Sequence, residues 1–104
     1  MSEFVESVDE VCGLYFRSVL LTKAGDVVTQ HTHDYDHATY IGSGSVGLYV
    51  DGVESGNFLA GRAVKVSANK KHHFVALEPN TRLTCVHIVE RAENNKNIPL
   101  IQYR

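Results

Sequence analysis

The sequence predicts an all-β fold: a single-domain antiparallel β-barrel or jelly roll. Three observations lead there. Residues with β-branched or aromatic side chains recur in short runs. Glycine, aspartate, asparagine and proline punctuate those runs at close intervals. Between them no stretch carries convincing helical periodicity. A chain of 104 residues with 43% hydrophobic content has enough apolar material for one core and too little for two. The expected organisation is one domain over residues 1–104, with an N-terminal arm at 1–10, a barrel core at 13–90 and a C-terminal extension at 91–104. Antiparallel strands at this spacing are best satisfied by closure, which also limits exposed edges.

Residues 1–10 are polar and read as a short helix or a disordered arm. Residues 14–23 form the first expected strand, 27–33 the second and 37–41 the third, each bounded by a glycine or aspartate signal. Residues 45–50 and 53–58 flank Asp51-Gly52, a pair suited to a two-residue type I′ hairpin, where both turn residues need positive φ. Residues 63–67, 72–77 and 83–89 complete the series, with Glu78-Pro79-Asn80 as the turn before the last. The Asn94-Asn95-Lys96-Asn97 stretch is polar, and residues 98–103 read as a terminal strand. No internal repeat or linker is visible.

Composition excludes several functions. The net charge is -2, and no run of lysine or arginine offers the basic face that nucleic-acid binding needs. No nucleic-acid partner is expected. No run of about 18 apolar residues exists, and the start Met-Ser-Glu-Phe-Val-Glu lacks signal-peptide character, so a soluble cytoplasmic protein without membrane contact is expected. Cys12 and Cys85 are isolated thiols without C-x-x-C spacing, which fits a reducing compartment and two small buried hydrophobes. Gly42-Ser43-Gly44-Ser45 links strands and does not open a helix, so phosphoryl and acyl transfer are discounted.

The chemistry concentrates in the histidines. His31, His33 and His37 lie in the run His-Thr-His-Asp-Tyr-Asp-His, and His72 follows about forty residues later beside His73. On a strand, alternation points His31 and His33 the same way. Asp34-Tyr35-Asp36 is turn-like, so the chain can reverse and bring His37 back at the start of the next strand. Converging neutral imidazoles are ligands for a transition metal. The competing interpretation is a hydrated histidine-rich loop.

These residues resemble the cupin superfamily, whose first motif runs Gly, five residues, His-x-His, three or four residues, Glu, six residues, Gly. Gly25, His31, His33, His37 and Gly44 match that spacing, with histidine in place of the glutamate. The second cupin motif runs Gly, five residues, Pro-x-Gly, two residues, His, three residues, Asn. Gly61 and His72 hold their places, while Ser67, Asn69 and Ala76 replace the proline, glycine and asparagine. The resemblance covers most of residues 13–90. It implies four metal ligands, His31, His33, His37 and His72, and its register selects His72 over His73, which alternation sends to the opposite face beside Val75.

Four neutral imidazoles leave the charge of a divalent ion uncompensated, so such a centre attracts an anionic ligand. Asp34 and Asp36 are candidate partners of the ligands, or simply turn residues. Imidazole donors suit iron, nickel or zinc better than magnesium or calcium. If His37 rotates away, three histidines remain, which resembles the three-histidine iron sites of some cupin dioxygenases. Expected pocket residues are Thr29 with His31 and His33, Thr39 and Ile41 with His37, and Phe74 and Ala76 with His72. His87 is a candidate proton-transfer group, or a packing histidine; Tyr35 and Tyr40 are candidate substrate contacts, or packing. The expected function is a metal-dependent enzyme on a small organic anion, dioxygenase-like or isomerase-like. The alternative is a non-catalytic metal- or ligand-binding sensor. A homodimer is expected, because small single-domain cupins resemble one another in pairing, with the arm around Phe4, Val5 and Val8 crossing to the partner and shortened or unordered without it.

Overall fold

Short apolar runs become antiparallel strands in a computed structural model that describes residues 3–30 and 35–89. The strands are β1 (Glu3–Val11), β2 (Leu14–Leu21), β3 (Val27–Gln30), β4 (His37–Ser43), β5 (Ser45–Val50), β6 (Val53–Leu59), β7 (Ala63–Val66), β8 (His72–Ala76) and β9 (Thr81–Ile88). They form two sheets, ordered β1-β2-β9-β4-β7 and β3-β8-β5-β6. Every pairing is antiparallel. The all-β jelly roll is thus what the chain adopts, as two facing sheets whose outer strands remain as edges.

Alternation decides what fills the space between the sheets. On β4, His37, Thr39 and Ile41 are buried while Ala38, Tyr40 and Gly42 are exposed. On β8, His72, Phe74 and Ala76 are buried. Leu21, Val28, Ile41, Val46, Phe74 and Leu83 from both sheets, all at 1% exposure or less, make the centre of one apolar cluster. Burying such side chains contributes roughly 1.5–3 kcal/mol each.

Residues 1–10 correct the sequence expectation. Glu3–Val11 is a strand on its own chain's β2, from Glu3 opposite Leu21 to Val11 opposite Leu14. The hairpin turns at Cys12 (φ 54°) and Gly13 (φ 77°), the paired positive φ of a type I′ turn. Phe4, Val5, Val8 and Val11 supply the β-forming residues that the acidic character of the segment obscures. The Asp51-Gly52 hairpin forms as expected, with φ of 51° and 83°. Cys12 is exposed, not buried, because it occupies a turn; Cys85 is half-buried, with Sγ 3.6 Å from Thr39 Oγ1. The expected terminal strand at 98–103, and the extension at 91–104 that carries it, lie outside the described residues. Among the described residues, no helix is long and apolar enough to cross a membrane.

Candidate metal centre

The two sheets bring His37 and His72 together from opposite sides of the core. His37 opens β4, opposite Val66 of β7. His72 opens β8, between Gln30 of β3 and Val50 of β5. Their ring centres are 5.7 Å apart at 53°, and both residues are buried, at 8% and 3% exposure. Metal–nitrogen bonds of about 2.1 Å put the ring centres of two imidazoles on one ion about 5–6 Å apart. The pair fits shared ligation.

A hydrogen bond fixes the form of His72. Its Nδ1 lies 2.8 Å from the main-chain carbonyl of Lys70, and a carbonyl only accepts, so Nδ1 carries the proton. In the neutral ring Nε2 then carries the lone pair, the arrangement a metal-binding histidine needs. The turn that supplies this carbonyl is held at three points. Ala68 N donates to Asp36 Oδ1 (2.7 Å), Lys71 N to Asp51 Oδ1 (3.1 Å), and Asp51 N to the Lys71 carbonyl (2.6 Å). The Ala68 N–H, helped by Lys65 Nζ 3.4 Å from Oδ2, holds the Asp36 carboxyl below its ordinary value against an opposing desolvation. Asp36 therefore supports the turn that orients His72.

His73 faces the other way and stacks on Tyr49, with ring centres 4.9 Å apart at 3°. His31, His33 and Asp34 lie outside the described residues. Among the described residues, no group of three or more His, Cys, Asp or Glu side chains gathers at metal-binding distance. Backbone pairing sets Thr29 opposite His73 and Gln30 opposite His72.

Part of the expected pocket lining is packed core, while Thr29, His31 and His33 are not described at the side-chain level. Thr39, Ile41, Phe74 and Ala76 do point inward, but at 2% exposure or less they are packed core and line no open space. In so small a chain the large inward side chains fill the interior below the histidines. A cleft of about 100 Å3 lies beside His72, lined by Leu48, Val50, Lys65, Val66, Ser67 and Lys70. Its walls were not apparent in the sequence, because they come from three separate strands and a turn.

An aromatic cluster drawn from separate parts of the chain adjoins the pair. The Tyr35 ring centre lies 6.3 Å from that of His37 and 4.8 Å from that of His87, and the Tyr15 ring centre also lies 4.8 Å from that of His87. His87 Nδ1 is 3.1 Å from the Ile88 carbonyl, which again leaves the lone pair of a neutral ring at Nε2. Tyr40, by contrast, faces outward and is exposed.

No protein-family model matches the sequence, and no curated protein matches it in sequence. Solved structures do match the fold. The chain is similar to KdgF from a Halomonas species at 22% identity and a TM-score of 0.71, over 88% of this chain and 84% of that one. It is similar to an RmlC-like cupin family protein with a double-stranded β-helix fold from Methanocaldococcus jannaschii at 18% identity and a TM-score of 0.71, over 90% and 86%. It is also similar to the cupin domain of an XRE family transcriptional regulator from Enterobacter cloacae at 16% identity and a TM-score of 0.65, over 86% and 100%. Two antiparallel sheets in this order, with inward histidines at one end, are the double-stranded β-helix of the small single-domain cupins, and that is the fold of this chain.

Proposed function

We propose that the chain is a metal-binding cupin in which His31, His33, His37 and His72 hold one divalent transition metal, iron, nickel or zinc, and that it acts as a metal-dependent enzyme on a small organic anion, dioxygenase-like or isomerase-like. The observation that carries the proposal is the meeting of His37 and His72 at ligand-pair distance, with the Nε2 lone pair of His72 set by the Lys70 carbonyl. The pairing of Gln30 with His72 supports it further, since the His31-Thr32-His33 segment follows Gln30 directly in the chain. A bound divalent ion supplies Lewis acidity toward a substrate oxygen or a water molecule.

The chain's own residues do the rest. Four neutral imidazoles contribute no negative charge, so an anionic ligand gains electrostatically at this end of the molecule. Phe74 and Leu48, buried beneath the histidines, exclude water from the inner side. His87 holds a proton acceptor at Nε2, one tyrosine ring removed from His37.

A second interpretation, a non-catalytic sensor, is favoured by one observation: among the described residues, the interior below the histidines is packed, and the cleft beside His72 is small. The similarity to a transcriptional regulator's cupin domain agrees with it. Elemental analysis of untagged protein and of the His31→Ala, His33→Ala double variant tests the metal centre. Near-stoichiometric iron, nickel or zinc in the native chain and its loss in the variant are expected; two metal-free, equally stable proteins would sink the proposal. Turnover of small organic acids by the loaded native protein separates enzyme from sensor. For assembly, we propose a homodimer, supported by the apolar residues that β1 leaves exposed.

A further inference from the structure

The cleft beside His72 has an uneven chemistry. Leu48 and Val50 of β5 and Val66 of β7 give it apolar walls, while Lys70 lies on its lining next to Ser67. Lys65 also lines it, but its ammonium is already opposed by Asp36 at 3.4 Å. Among the described residues no carboxylate opposes Lys70. Among the described residues the cleft therefore combines a cation without a carboxylate partner, apolar walls and the imidazole of His72.

We infer that the cleft binds a short-chain monocarboxylate, with the carboxylate against Lys70, the hydrocarbon body along Leu48, Val50 and Val66, and the far end beside His72. Size sets the length of the body. A cavity of about 150 Å3 takes benzene, so about 100 Å3 takes roughly four or five non-hydrogen atoms. Charge sets the head group. One free lysine with a serine matches a single negative charge, whereas a phosphate calls for several converging donors such as arginine forks or a helix N-terminus, and the lining has neither. The inference rests on the proposed function in naming its substrate class, yet the cleft's affinity for carboxylates does not require the metal.

The side chain of Lys70 can be changed without touching the histidine, because His72 is held by the main-chain carbonyl of Lys70. The test is titration of the full chain with butyrate, pentanoate and neutral 1-pentanol, followed through the methyl NMR signals of Leu48, Val50 and Val66. Metal content is measured on the same samples, with and without chelator treatment. Pentanoate is expected to shift these methyls saturably and to bind more tightly than butyrate or pentanol. Lys70→Gln should weaken pentanoate about fivefold, as for a partly exposed ion pair, and leave pentanol unchanged. Lys23→Gln removes the same charge at the opposite end of the β-sandwich and should change neither. Pentanoate binding that is equal in native protein and Lys70→Gln, or shifts that spare the three cleft residues, would overturn the inference. A protein that is metal-free as purified, before any chelator, and still binds pentanoate in this pattern would leave the cleft standing and sink the metal centre alone.

Discussion

Gly44 shows how one residue is dictated by its surroundings. Its φ is +75°, and a Cβ there would lie 2.8 Å from Thr81 Cα, against backbone that cannot move aside. Thr81 is itself fully buried, with its hydroxyl donating to the Glu78 carbonyl at 2.9 Å and accepting from Ser45 N at 3.3 Å. The closing glycine of the first motif is thus a packing requirement as well as a turn requirement. Gly44→Ala should cost about 2–4 kcal/mol, combining left-handed strain with overpacking; urea denaturation measures it, and a loss under about 0.5 kcal/mol, typical of an unconstrained surface site, would mean that the β4–β5 corner relaxes freely. His72 and His73 make the complementary point. Adjacent in sequence, they diverge to the core and to the stack on Tyr49, as period-two alternation requires.

At the scale of elements, the legible parts were those with a local physical cause. Asp51-Gly52 announces its hairpin because both residues tolerate positive φ, and the alternation of β4 and β8 announces their buried faces. β1 was not legible, since its acidic residues mask a strand pattern and its turn is Cys12-Gly13, a pair without the usual asparagine or aspartate. Substituting Cys12→Asn, better suited to φ 54°, should raise stability by roughly 0.5–1 kcal/mol; thermal melting reads it, and a lower melting temperature would contradict the turn assignment. The cleft was equally hidden, because its lining depends on how far Phe74 and Ile41 fill the interior, a tertiary outcome. The β7–β8 turn gives a functional prediction. Asp36 anchors Ala68, and the same turn presents the Lys70 carbonyl to His72. Asp36→Ala should weaken metal binding by about tenfold while sparing the fold, the size of effect expected when a ligand's support is removed. Competition with a chromophoric chelator measures it; unchanged affinity would mean that the turn holds its shape without Asp36.

Across the whole molecule, one core serves both sheets, so its centre carries much of the stability. Phe74, fully buried between Val28 and Leu48 on its own sheet, should cost about 3–5 kcal/mol on truncation to alanine, enough to unfold a marginal domain. β1 tells a different story at the periphery. Phe4, Val5, Val8 and Val11 are 41–62% exposed, and Glu3 and Glu6 tie the strand back to Arg17 and Arg82. An ordered apolar edge is the surface on which the proposed dimer would rest. Light scattering should therefore give a dimer at micromolar concentration, and a Val5→Lys, Val8→Lys variant a monomer; a monomeric native protein would count against that assembly.

In the proposed metal centre, the two sheets converge imidazoles on one ion at the end where β4 and β8 begin. Titration of nickel or zinc into metal-free native protein, His72→Ala and His73→Ala is the decisive measurement. The expected result is one site per chain in the native protein, an affinity weakened by at least ~100-fold in His72→Ala, and an unchanged affinity in His73→Ala. Equal affinities in all three proteins would contradict it, and would return the buried histidines to the role of packing.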